Sequence, residues 1–129
     1  MTIELTCLLG LALWTLVLNH TPAIARITKA GVAWGIGNRE EMPTVAPWVG
    51  RADRAQRNHL DNLPMLAIVI LIAHITNQTD SATATASVVI LVSRVAHGLV
   101  YIFGITALRG LCYLTSIVAM LTIVRSIVT

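Results

Sequence analysis

Arg54, Arg57, Asn58 and Asp61 are spaced so that, at 100° per residue on a helix, all four fall within an arc of roughly 100°. Gln56, His59 and Asn62 lie off that stripe. Further along, Arg94, His97 and Tyr101 follow i, i+3, i+7 spacing and project from one helical face within roughly 60°. One carboxylate, Asp61, cannot neutralise Arg54, Arg57 and Arg94 together, and the surplus of guanidinium groups calls for an anionic ligand. A small zwitterionic peptide suits the set, its carboxylates on the arginines and its amine on Asp61. The competing reading is purely structural, with Asp61 and Arg94 paired between helices and His97 and Tyr101 packed. His20, His59 and His74 share no spacing that faces one metal ion, so no metal site is expected.

The elements that must position these groups are membrane spans. Of the 129 residues 56% are hydrophobic and only 12% charged, against about 25% charged in a soluble domain, and mean hydropathy is +0.77. The charges are gathered between long apolar runs, which is the pattern of a protein dissolved in lipid. The net charge of +3 and pI of about 9.4 do not signal nucleic acid, because the basic residues flank apolar spans and form no basic-aromatic stripe.

Four spans are read at residues 3–25, 52–76, 81–105 and 110–128, each long enough to cross a hydrocarbon core of about 30 Å, although the fourth is the shortest apolar run. The chain from 1 to 129 is therefore one all-α membrane domain, a four-helix bundle. Glu4, with no Lys or Arg before the first run, argues against a cleaved signal peptide. The stretch from Arg26 to Gly50, with Pro43, Pro47 and four glycines, is the one substantial loop. The second helix is expected to begin near Arg51 and to kink at Pro64. Asn77 to Asp80 forms a short turn, so the second and third spans run antiparallel, and the chain is expected to turn again around Arg109 and Gly110. Counted from their ends, Asp61 and Arg94 sit at matching depth, which predicts that they pair. Cys7 and Cys112 lie towards opposite membrane faces and are not expected to form a disulfide.

Arg26, Lys29, Arg39 and Arg51 follow the first span and Arg109 follows the third, whereas Arg125 stands alone on the other side. The positive-inside rule places the 26–51 loop in the cytoplasm and both termini outside. The compact plan without a targeting extension leads to the expectation of a bacterial inner membrane.

The run Arg54-Ala55-Gln56-Arg57-Asn58, followed by Asp61-Asn62 and Pro64, resembles the second-helix signature of the membrane-associated proteins in eicosanoid and glutathione metabolism, and Arg94-Val95-Ala96-His97 with Tyr101 resembles the third-helix signature. The resemblance covers nearly the whole chain. It implies a homotrimer with glutathione held between helices of neighbouring subunits, bound as cosubstrate by Arg54, Gln56, Arg57, Asn58, Asp61, Arg94, His97, Tyr101 and, from the end of the first span, Arg26. It also implies that Arg109 stabilises the glutathione thiolate, with Tyr101 beside it at the catalytic centre. Two departures stand out: Asp61 replaces the Glu usual in eukaryotic members, shortening the reach to the amine by one methylene, and Asn62 replaces an aromatic residue.

The activity so implied is conjugation of glutathione to hydrophobic electrophiles entering from lipid, or glutathione-dependent reduction of lipid hydroperoxides. The alternative is a noncatalytic membrane protein that keeps the site as a ligand carrier or scaffold. A proton or ion path along the stripes ranks below both, because the surplus charge is arginine rather than titratable carboxylate.

Overall fold

The computed structural model describes residues 1–129. The order is α1 (Ile3–Ala30), a short α2 (Val32–Ile36), α3 (Pro47–Ile75), α4 (Ser81–Phe103) and α5 (Thr106–Val128), with no strand. The four long helices are each apolar and long enough to cross a membrane. Only 25 of the 129 residues are buried, and large apolar side chains such as Leu13, Leu16, Ile68, Val92 and Val118 face outward. An apolar exterior of this extent belongs in lipid, where every backbone polar group must be satisfied inside a helix.

Local chemistry sets the helix ends. Thr2 Oγ accepts from the Leu5 amide at 3.4 Å and starts α1. Pro47 opens α3 at the one position where a missing N–H costs nothing. Asp80 and Thr83 form a reciprocal capping box at the start of α4, with both bonds at 2.8 Å. Gly104 ends α4 in the left-handed region at φ 81°, where a side chain would be strained.

Three boundaries differ from those read in the sequence. The first helix continues to Ala30 and the third element starts at Pro47, so both overhang a hydrocarbon core of about 30 Å. The turn before α5 lies at Gly104 and Ile105, and Arg109 and Gly110 belong to the first turns of the helix. The αL conformation of Gly104 makes the earlier turn possible and lengthens α5 to 23 residues, equal to α4. Pro64 sits within α3, and the helix runs through it from end to end.

One apolar core, formed by Leu11, Leu66, Ile70, Ala73, Ala86, Ile90, Ala119, Met120 and Ile123, joins all four long helices. The α4–α5 pair is the most extensive packing, α1 lies against α3 and α4, and α1 and α5 do not touch. Two cross-helix bonds tie the ends. Thr83 Oγ donates to the buried Glu4 carboxylate at 2.7 Å, holding the starts of α4 and α1 together. At the other end Arg51 Nε donates to the Ile102 carbonyl at 2.7 Å, satisfying a carbonyl that α4 leaves free in its last turn. Between them Gly98 lets Trp14 approach so closely that a Cβ there would lie 2.8 Å from Trp14 Cζ2.

Candidate functional site

A cavity of about 300 Å³ opens where α3, α4 and α5 meet, lined by Asn58, His97, Tyr101, Arg109, Gly110 and Tyr113. Because Arg109 lies inside α5, its guanidinium stacks over the Tyr101 ring, 4.6 Å from the centroid. Cation–π stacking of this kind holds an arginine in place without consuming its hydrogen-bond donors. The buried His97 ring meets Tyr101 edge-on at 5.6 Å between centroids and Tyr113 at 6.4 Å. Two tyrosines, a histidine and an arginine thus line one wall, and no carboxylate lines the cavity.

Behind that wall lies Arg94, only 1% exposed. Its Nη2 donates to both the backbone carbonyl and Oδ1 of Asn58, at 3.1 and 3.0 Å. Its Nε and Nη1 are buried with no partner in the chain. Asn58 therefore spends its side-chain oxygen on Arg94 and presents its amide NH2 as the free donor. A guanidinium buried with part of its fork unsatisfied is costly, and an anion brought to it would recover that cost.

The expected pairing of Asp61 with Arg94 is not formed. The bond from Arg51 to Ile102 fixes the register of α3 against α4, and from that level Asn58 and Arg94 lie within about 1.5 Å of the same depth while Asp61 lies about 4.5 Å beyond Asn58. Azimuth matters more. The buried face of α3 carries Val49, Ala52, Ala55, His59, Leu66, Ile70 and Ala73, and the centre of the polar stripe is turned roughly 140° from it. Asn58, at the near edge of the stripe, takes Arg94, while Arg54, Arg57 and Asp61 stand exposed on the outside of the chain.

Gln56 and Arg26 face elsewhere. Gln56 Nε2 donates to Asn19 Oδ1 at 2.8 Å, across the α1–α3 contact. Arg26 forms a two-pronged ion pair with Asp53, at 2.9 and 2.5 Å. Within the chain, then, Arg54, Arg57, Asn58 and Asp61 share the stripe, His97, Tyr101 and Arg109 share the cavity with Asn58, and Gln56 and Arg26 are separate from both. Sequence reasoning passed over Tyr113 and Asp53. Tyr113 could have been found from its i, i+4 spacing to Arg109, whereas nothing in the spacing of Asp53 and Arg26, on different helices, announces their meeting. His59, buried on α3, shares a 3.0 Å hydrogen bond with Thr15 of α1 and stitches those helices together. No group of three or more His, Cys, Asp or Glu side chains comes together, and Cys7 and Cys112 are both free.

A model of the MAPEG family matches residues 5–129, essentially the whole chain. The chain belongs to the MAPEG family. No curated protein matches it. For a MAPEG protein, a multi-pass helical membrane fold in a family tied to eicosanoid and glutathione metabolism is established by this match and by the four spanning helices. The outward stripe of this MAPEG chain, Arg54, Arg57 and Asp61, has no ion-pair partner within the chain. Ionisable groups at membrane depth face a partner or a water-filled space rather than lipid, and neither is supplied by the chain itself.

Proposed function

We propose that this MAPEG protein binds glutathione against the α3 stripe and the α3–α4–α5 cavity, and transfers its sulfur chemistry to a hydrophobic acceptor that arrives through lipid. The observation that carries the proposal is the charge balance. Arg54 and Arg57 stand on the stripe, Arg109 lines the cavity and Arg94 is buried behind it, against the single carboxylate of Asp61 on the stripe. Glutathione offers two carboxylates for the arginines, an ammonium for Asp61, and a thiol.

A cavity of about 300 Å³ lies at the small end of the ~300–1,000 Å³ range of ligand sites. It accommodates the thiol end, and the remainder of the tripeptide lies along the exposed stripe. That arrangement is closed off from lipid when a neighbouring subunit covers the stripe, so the assembly we propose is a homotrimer with glutathione in each subunit contact. Gln56 and Arg26 reach glutathione in this reading only from the neighbouring copy, and Arg26 only after Asp53 yields part of its hold.

A free thiol with pKa near 8.5 is mostly protonated at neutral pH, and an adjacent guanidinium raises the thiolate fraction. Arg109, fixed on Tyr101, holds that place here. The thiol proton leaves to solvent, the sulfur lone pair forms the new S–C bond, and the acceptor's leaving group departs with the displaced electron pair. With a lipid hydroperoxide as acceptor, two glutathiones give the disulfide, the lipid alcohol and water. The positive-inside bias of Arg26, Lys29, Arg39, Arg51 and Arg109 supports a cytoplasmic 26–51 loop, from which water-soluble glutathione would enter.

The test is turnover of a generic electrophilic acceptor by the detergent-purified protein, together with the ultraviolet thiolate band of bound glutathione. Turnover with a thiolate band that Arg109→Ala removes supports the enzyme. Saturable binding without turnover on any electrophile or hydroperoxide would instead make the protein a noncatalytic carrier or scaffold.

A further inference from the structure

The largest cavity of the chain lies away from the stripe, at the end of the bundle where α1 finishes and α3 begins. It measures about 520 Å³ and is lined by Thr21, Ile24, Ala25, Thr28 and Lys29 of α1 with residues 44–46, Trp48 and Val49 at the start of α3. The α1 residues follow i, i+3, i+4, i+7, i+8 spacing and form one face. The hydroxyls of Thr21 and Thr28 are spent on the carbonyls of Val17 and Ile24, at 2.7 and 2.8 Å, and most of the other lining residues are hydrophobic. The interior is therefore mostly apolar.

The mouth is different. Lys29 is exposed and makes no ion pair, and Asp53, the carboxylate that reaches this part of α1, is taken by Arg26. Trp48 is 37% exposed beside it. No carboxylate lines the cleft, and α3 begins there with no side chain capping its first turn, leaving the positive end of its dipole uncompensated. From Thr21 to Lys29 the helix rises about 12 Å. The charge-free run of α1 between Glu4 and Arg26 is long enough to fill a core of about 30 Å, which sets Lys29 at headgroup level and leaves Thr21 and Ile24 within the apolar run. Tryptophan at that level is the usual interfacial anchor.

We infer that this cleft is a binding site for one anionic phospholipid of the leaflet that adjoins the α1–α3 connection, its headgroup on Lys29 and its acyl chain between Ile24, Ala25 and Val49. An apolar slot ending in a single uncompensated cation matches an amphiphile with one negative head. A zwitterionic lipid brings its own ammonium to Lys29 and loses that match.

The test is native mass spectrometry of the intact protein released from micelles holding equal phosphatidylglycerol and phosphatidylcholine of identical acyl chains. The wild type should retain phosphatidylglycerol about fivefold over phosphatidylcholine, the ratio expected for one basic residue near an anionic surface. Lys29→Gln, a change at an exposed side chain, should bring the ratio to about one. Ile24→Trp, which fills the slot, should abolish retention of both lipids, and Arg125→Gln at the far end of the bundle should leave the preference unchanged. Equal retention of the two lipids by the wild type, or a preference that survives Lys29→Gln, would overturn the assignment and leave ordinary, unselective boundary lipid.

Discussion

Arg94→Met separates the two roles open to the buried arginine. If Arg94 is structural, its loss unfolds the bundle; if it is held ready for an anion, the ligand-free protein tolerates or welcomes the change. The structure favours the second outcome. Arg94 contributes two charge-assisted bonds to Asn58 through one nitrogen, at 3.1 and 3.0 Å, each worth about 1.5–3 kcal/mol. Against that stand two buried, unpartnered nitrogens, Nε and Nη1, each costing about 1–3 kcal/mol. Asn58 lines the cavity, so its freed oxygen can turn to water. Methionine fills comparable volume with no polar atom to desolvate. The two terms are of similar size, so the net change in ligand-free stability is close to zero. Thermal unfolding in detergent, with and without glutathione, reads both terms. The ligand-free variant should melt near the wild-type temperature, while the stabilisation by saturating glutathione, about 2.7 kcal/mol at one hundred times Kd, should largely vanish. A ligand-free variant that melts far below the wild type, with glutathione stabilisation intact, would refute the reasoning and make Arg94 a structural residue.

Three further outcomes are expected. Asp61→Asn should leave the ligand-free melting temperature unchanged, because the exposed carboxylate has no partner in the chain, and should weaken glutathione binding roughly tenfold by removing the ammonium's counter-charge; calorimetry on the purified protein checks both. Arg109→Ala should lower turnover by about 10² or more, as removal of a group that stabilises reacting charge does, with glutathione affinity changed far less, so a rise in Kd with undiminished turnover of bound glutathione would count against its place beside the thiol. Gly98→Val should destabilise the bundle by about 1–3 kcal/mol through overpacking against Trp14, and Trp14→Leu in the same chain should recover most of the loss in a denaturation series.

The fold was legible because the charges are expelled from long runs, a pattern that lipid imposes and that survives any error in helix ends. Those ends were misjudged where a local device decided them. Pro47 reads as a breaker in a loop yet opens α3, since a proline at the first helical position sacrifices no bond. Gly104 reads as part of an apolar run yet ends α4, because it alone there adopts positive φ without strain. The polar stripe of α3 follows from helical periodicity, which orders residues around one helix but does not say where that helix is turned. Orientation depends on which face the neighbours bury, and small residues such as Ala52 and Ala55 make the close contact with the bundle. That contact points Asp61 outward and leaves Asn58 to receive Arg94. The meetings of Arg26 with Asp53, Gln56 with Asn19 and His59 with Thr15 are likewise properties of two helices together, and no spacing within one helix encodes them.

The most direct measurement is glutathione titrated by calorimetry into the detergent-purified protein, beside Arg54→Ala and Arg94→Ala variants of unchanged elution on size exclusion. Saturable binding in the wild type, lost or weakened at least tenfold in both variants, is the result predicted by a site shared between the outward stripe and the buried arginine. Absence of binding to the wild type at millimolar glutathione would contradict it, and the MAPEG fold would then serve a different ligand.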